Sequence, residues 1–121
     1  MINLSKVLRS FRYAGRGIID LFRYENNAKV HLAVAIFVVV MGVWLGLSVT
    51  EWALISTQIG LVLAAEGFNT ALEKLCDRVT TEQDPLIRAA KDLASGAVMI
   101  LCIVAVLVGL LIFGPRLHAF L

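Results

Sequence analysis

The chain has 121 residues, with 11 Lys and Arg against 9 Asp and Glu, a net charge of +2, and 60% hydrophobic residues at a mean hydropathy of +0.86. Ordinary soluble domains are about half apolar and a quarter charged, so a charged fraction of 17% excludes that class along with disordered and collagen-like chains. The weak positive balance and the long uncharged runs also argue against a nucleic-acid binder, which at this size presents a basic surface.

Taken in chain order, the charges define the elements. Residues 1–31 hold eight of the twenty charged side chains, residues 66–92 hold ten, and only Glu51 and Arg116 lie elsewhere. In the first segment Leu4, Val7, Leu8, Phe11, Gly15, Ile18 and Phe22 recur at intervals of three and four, while Arg9, Arg12, Arg16 and Arg23 recur on other faces. This predicts a basic amphipathic helix over about 4–24, lying in the headgroup plane with its arginines on lipid phosphates. Its basic character and lack of an apolar core do not fit a cleaved signal peptide.

A spanning helix needs ~20 largely apolar residues. Leu32–Thr50 and Leu93–Pro115 are both free of charge throughout, and each is long enough to satisfy that requirement. Trp52–Ala65 is shorter before Glu66 interrupts it, and reads as a span that carries polar residues into the membrane's edge; a re-entrant or interfacial segment is the alternative. The expected fold is therefore an all-α membrane protein, a single domain over 1–121, with the surface helix followed by transmembrane helices over about 30–50, 52–76 and 86–114. Ten of the eleven basic residues then share one side, the cytoplasmic one by the positive-inside rule. Trp44 and Trp52 suit an aromatic belt on the other side. In the loop before the last span, Thr81 and Asp84 can cap a helix and Pro85 suits a first helical position. Gly96, Ala97 and Gly109 allow close helix approach. Cys76 and Cys102, far apart in the chain and without metal-type spacing, read as reduced and inert.

The chemically informative stretch is Glu66, Asn69, Thr70, Glu73 and Asp77. On a helix, offsets of 3, 7 and 11 from Glu66 fall in one narrow sector, so three carboxylates and an amide line a single stripe. Ionised acids in a low-dielectric setting cost several kcal/mol each unless paired or bound to a cation. The stripe therefore predicts a metal ion, a basic partner or a retained proton. Counting from Trp52, Glu66 lies roughly 21 Å into a ~30 Å core, in its cytoplasmic third, and Glu73 and Asp77 sit at the water interface. Such a gradation suits a site joining a membrane-embedded substrate to a soluble one. A row of interfacial polar residues satisfying one another and the headgroups is the bland alternative.

Two other places complete the constellation. Lys91-Asp92 follows Arg88 at the start of the last span, and its cations suit phosphate or the acidic stripe. Glu25 stands at the same level, so a divalent cation could be held between it and Glu73; such hard oxygen ligands fit Mg²⁺. No G-x-x-x-x-G-K-[ST], H-R-D or D-F-G signature occurs. His31 reads as an interfacial hydrogen-bonding residue, since a metal role lacks a second His nearby.

Glu66-Gly67-Phe68-Asn69-Thr70-Ala71-Leu72-Glu73-Lys74-Leu75-Cys76-Asp77, followed by Ala89-Ala90-Lys91-Asp92 and Gly96-Ala97-Val98, resembles the signature of the small prokaryotic diacylglycerol kinase family, which includes undecaprenol kinases. The resemblance covers nearly the whole chain. It implies a homotrimeric, multi-pass kinase of the bacterial inner (plasma) membrane, N-terminus cytoplasmic, that uses MgATP to phosphorylate a lipid hydroxyl at sites between subunits. By position it implies Glu66 as general base and Glu25 and Glu73 as metal ligands, with Asn69, Asp77, Lys91 and Asp92 in the nucleotide and substrate site. Tyr13 and Gly17 match positions lining the nucleotide pocket. Lys6, Glu82 and Asp84 match more peripheral ones, and Lys6 and Arg9 are expected beside the lipid substrate.

Gly67, Lys74-Leu75-Cys76 and Ser95 depart from the family's common residues and bear on packing more than chemistry. The run Glu25-Asn26-Asn27-Ala28-Lys29-Val30-His31 looks more like the undecaprenol kinase branch, through Asn27, Lys29 and His31. Two other classes remain: a small proton-coupled transporter, which would need an acid accessible from both sides, and a non-enzymatic membrane subunit whose acids bind a partner.

Overall fold

The computed structural model describes residues 1–121 as four helices: α1 (Leu4–Tyr24), α2 (Asn26–Leu45), α3 (Val49–Val79) and α4 (Pro85–Phe120). There is no strand. Of 100 backbone hydrogen bonds, 91 lie within the helices, so the chain satisfies its own peptide groups, the condition for crossing lipid as helix. Two helices, α2 and α4, are long and apolar enough to cross a membrane. The expected spans begin and end in slightly different places. α2 starts before residue 30 and stops at Leu45, α3 runs beyond 52–76 at both ends, and α4 continues past 114.

Local chemistry sets these boundaries. Asn3 caps α1 by accepting from the Lys6 amide at 3.1 Å. Glu25, with extended backbone, breaks the chain between α1 and α2. Gly46 ends α2 with φ +70, a left-handed conformation that a side chain would strain, and its amide and that of Leu47 both return to the Gly42 carbonyl. α2 thus ends before Thr50, where its uncharged run stops. Ser48 and Glu51 instead form a capping box at the start of α3, with Ser48 donating its amide at 3.0 Å and accepting at 3.2 Å. Asp84 caps α4, accepting from the amides of Leu86 and Ile87 ahead of Pro85. Thr81 makes no cap bond; its neighbour Thr80 accepts from the Glu82 amide instead.

The α3–α4 pair is the body of the fold. The two helices run antiparallel and are pinned at both ends, by Arg116 on Glu51 and by Lys91 on Asp77. The stretch of α3 from Glu51 to Asp77 nearly equals in length the stretch of α4 from Lys91 to Arg116, so equal helical rises keep both pins in register. Near the Glu51 end Leu47, Ile55 and Ile112 form a small buried cluster with Trp52, Val38 and Phe113 packed on it. α2 closes onto α3 at that end because Gly42 has no side chain: a Cβ there would stand 2.7 Å from the Trp52 ring. The expected close approaches at Gly96 and Gly109 do not occur within the chain, where both face open space.

Trp44 and Trp52 both lie at this end, Trp44 stacked obliquely on Phe120 at 5.1 Å. One chain leaves much of itself uncovered. Its accessible surface is 9215 Å², against ~6,400 Å² for a compact soluble protein of this mass, and the excess is largely the Val, Leu, Ile and Phe of α2 and α4.

Arg116 also donates to the Leu45 carbonyl at 3.2 Å, so one guanidinium ties α2, α3 and α4 together. Its hydrogen bonds, with that of the Ser48 amide, hold the Glu51 carboxyl down to about 2 from its ordinary 4.5. A lowered folded-state value means that this stabilisation is complete above pH 4.5 and is lost as the pH falls through about 2. The difference in thermal unfolding midpoint between wild type and Arg116→Gln in detergent should therefore be full at neutral pH and collapse as the pH falls through about 2. A difference independent of pH would contradict the pairing.

Candidate functional site

The acidic stripe occupies the half of α3 remote from the Glu51 pin. Glu66, Asn69 and Thr70 are buried at 3%, 5% and 7% exposure, although each carries a polar side chain. Helices α1, α2 and α4 all pack against α3. Gly67 lets α1 come down onto α3, with Leu21 standing 3.7 Å from where a Cβ would be. From α2, His31 brings its Nε2 within 3.6 Å of Glu66 Oε2. That gap exceeds a hydrogen bond, and Glu66 makes no hydrogen bond within the chain. It is a buried carboxylate with an imidazole as its nearest basic group.

One turn on, Asn69 donates from Nδ2 to Glu73 Oε1 at 3.2 Å, while its buried Oδ1 has no partner. A buried, unsatisfied carbonyl oxygen costs about 1–3 kcal/mol, and a donor or a cation arriving there removes that penalty. Glu73 and this oxygen are hard ligands of the kind Mg²⁺ takes, with one or two carboxylates and the rest from water and phosphate. No group of three or more acids, His or Cys gathers anywhere in the chain. Glu25 faces Lys74 at 3.9 Å, but Lys74 is 72% exposed, a loose pair of little energy that leaves the carboxylate free to exchange partners.

A second group forms where α3 turns into α4. Asp77, Glu82, Asp84, Arg88 and Lys91 line an open cleft of about 590 Å³ floored by the 80–84 loop. Lys91 Nζ donates to Asp77 Oδ1 at 2.6 Å across the helix pair. Thus four residues expected around a nucleotide, Asp77, Glu82, Asp84 and Lys91, share one open recess with a further cation, Arg88. Asp92 is exposed beside it and does not line it.

The α1 residues are not brought to either group within one chain. Lys6, Arg9, Tyr13 and Gly17 are all exposed. Tyr13 and Gly17 do share, at four-residue spacing, the row that ends in Leu21 against Gly67, so that face of α1 leads to the stripe. Between α2, α3 and α4 an apolar cavity of about 420 Å³ opens beside His31 and runs past Val34, Val62 and Cys102 to Phe113, with Gln58 the one amide on its wall.

Sequence reasoning assigned no role to His31 beyond the membrane interface, since a lone imidazole with no second ligand has no motif. The one available signal was position, six residues after Glu25 at the level of Glu66. Arg88 was visible as a neighbouring cation, but its place in the cleft depends on how the loop folds.

Apart from Lys6 and Arg9, the expected site residues fall inside residues 12–113, the segment that matches the prokaryotic diacylglycerol kinase family. The chain is 41% identical over 114 residues to the undecaprenol kinase of Bacillus subtilis, covering 94% of this chain and 93% of that protein. It is 32% identical over 111 residues to the diacylglycerol kinase of Haemophilus influenzae, covering 91% and 94%. With the diacylglycerol kinase of Escherichia coli strain K12 the identity is 28% over 103 residues, covering 85% and 84%.

Proposed function

The chain belongs to the prokaryotic diacylglycerol kinase family, and from that membership we propose that it is an ATP-dependent lipid kinase that phosphorylates a membrane lipid hydroxyl at the acidic end of α3. The observation that carries the reading is the gradation along one helix face. A buried Glu66 comes first, then a half-buried Glu73 held by Asn69, then an exposed Asp77 on Lys91. A lipid hydroxyl arrives from the buried end and a nucleotide from the wet one. A transporter would need Glu66 to reach both sides, and the opposite end of α3 is closed by the Arg116 latch on Glu51.

In this mechanism Glu66 accepts the proton of the attacking hydroxyl in a site that excludes water. Lys91, Arg88 and the open cleft receive the nucleotide's phosphates, whose transfer depends on positioning and charge neutralisation. Tyr13 and Gly17 on α1 approach the same nucleotide. Lys6 and Arg9, with the apolar row of α1 in the acyl boundary, hold the lipid's headgroup level. Glu73, Asn69 and Glu25 would hold Mg²⁺, which when bound supplies positive charge to the phosphates.

The remaining architecture follows from the same reading. The chain is one membrane domain over 1–121, α1 lies on the surface, and α3 crosses with α2 and α4. Its pins to α4, at Glu51 and Asp77, are separated by ~39 Å of helical rise, more than a ~30 Å core. With ten of eleven basic residues at the Glu25–Lys91 end, that end faces the cytoplasm of a bacterial inner membrane. Three copies of the chain cover the apolar excess of each other's surface and bring α1 of one to the cleft of the next. Undecaprenol is the favoured acceptor, supported by Asn27, Lys29 and His31 and by the likeness to the Bacillus subtilis protein.

Glu66→Gln keeps the shape and removes the base. It should lower lipid phosphorylation by ~10²–10⁴-fold while binding of MgATP, read by calorimetry, stays at the wild-type level; wild-type turnover would remove Glu66 from the mechanism. Glu73→Ala should abolish the Mg²⁺-dependent part of nucleotide binding, and an unchanged affinity would take the metal away from this residue.

A further inference from the structure

Transfer of a phosphoryl group to an alcohol breaks the O–H bond and leaves one proton on the base for every turnover. If Glu66 is that base, a premise taken from the proposed function, it holds the proton in a place 3% exposed to solvent. No hydrogen bond connects it to the rest of the chain, and no Lys or Arg nitrogen lies within ion-pair distance. The one basic atom beside it is His31 Nε2, 3.6 Å from Oε2. The imidazole is 23% exposed against 4% for the Glu66 side chain, so it is the more accessible of the two.

We propose that His31 is the proton outlet of the site, a positioning residue that acts through Glu66. After phosphoryl transfer the Glu66 carboxyl swings through the short gap and gives its proton to Nε2 of neutral His31. The ring then turns its Nε2 away from Glu66, and the imidazolium releases that proton to water at the cytoplasmic side. One O–H bond is broken on the carboxyl, one N–H bond forms and breaks on the ring, and both groups return to their starting states. Histidine suits this step because it gains and loses a proton at ordinary pH.

The titratable groups that face His31 are Glu66 on α3 and the Cys102 thiol on α4, which lines the cavity that opens beside the ring. On α2 itself Lys29 is exposed and Glu25 lies six residues earlier, engaged with Lys74. From α1 the neighbour at this level is the apolar Leu21. Glu66 is therefore the proton donor within reach. Its position fits a relay better than a permanent salt bridge, since a gap beyond hydrogen-bond length leaves one carboxylate oxygen free for the substrate hydroxyl.

The test uses the full chain in lipid vesicles with undecaprenol and MgATP. His31→Gln keeps a hydrogen-bonding side chain of similar reach and removes the titrating ring. It should lower kcat by ~10-fold or more, leave KM for ATP and for lipid within twofold, and alter the pH profile of kcat. His31→Ala should regain kcat, saturably, on addition of free imidazole, which enters the space the ring vacates. Wild-type kcat in His31→Gln would overturn the proposal. So would a loss confined to KM, an unaltered pH profile, or a defect in His31→Ala that imidazole does not repair. Glu66→Gln assayed alongside separates the two readings. Full turnover there defeats the assignment of Glu66, whereas an inactive Glu66→Gln beside a wild-type His31→Gln defeats the relay alone.

Discussion

Charge is expensive in hydrocarbon, and the whole molecule is arranged by that constraint. Eighteen of twenty charged residues lie in two segments, 1–31 and 66–92, and the other two, Glu51 and Arg116, pair with each other. Because the end pairs sit at matching intervals on α3 and α4, they set the antiparallel register between two helices whose apolar faces would otherwise slide. Neither pair is strong, since each is partly exposed and screened. Their effect is on position: a shift of α3 by one turn would break both pairs.

Glu66 is the exception to the rule, and function follows from it. It is buried without a hydrogen bond or a Lys or Arg, a state that no folding advantage explains. Asn69, one turn away, is likewise left with an orphaned oxygen. Asn69 Oδ1 and, farther along α3, Gln58 Oε1 are the buried side-chain acceptors left without a partner, and the one on the face that carries Glu66 is a place where a ligand's donor or a cation would be satisfied. The wet cleft below supplies the complementary half, with cations over a loop that is open to solvent.

How much of this was legible in the sequence differs from part to part. The helices follow from the period of α1, the uncharged runs of α2 and α4, the polar-ended run of α3 and the cap at Asp84; the caps at Asn3 and Ser48 were not read from the sequence. The helix ends were less visible. Gly46 rather than Thr50 ends α2, because a glycine free to take positive φ stops a helix before the apolar run does. The stripe from Glu66 to Asp77 is a matter of 100 degrees per residue and needed no structure. What joins it to its neighbours is a tertiary matter. His31 reaches Glu66 because α2 packs on α3, and Arg88 joins Asp77 and Lys91 in one cleft because the 80–84 loop reverses the chain there. The small residue that permits close approach is Gly42, met by Trp52 from the next helix, and not the glycines of α4. Glycine spacing alone does not tell which face will meet a neighbour.

A lipid kinase reading makes one direct demand, that ATP be consumed only when a lipid alcohol is supplied. The decisive measurement is MgATP hydrolysis and transfer of labelled γ-phosphate by the purified protein in vesicles, with undecaprenol and diacylglycerol offered in parallel. The account predicts label in the lipid fraction, stoichiometric with ADP and faster with undecaprenol. ATP left unconsumed with both lipids, or consumed without label reaching either, would contradict it.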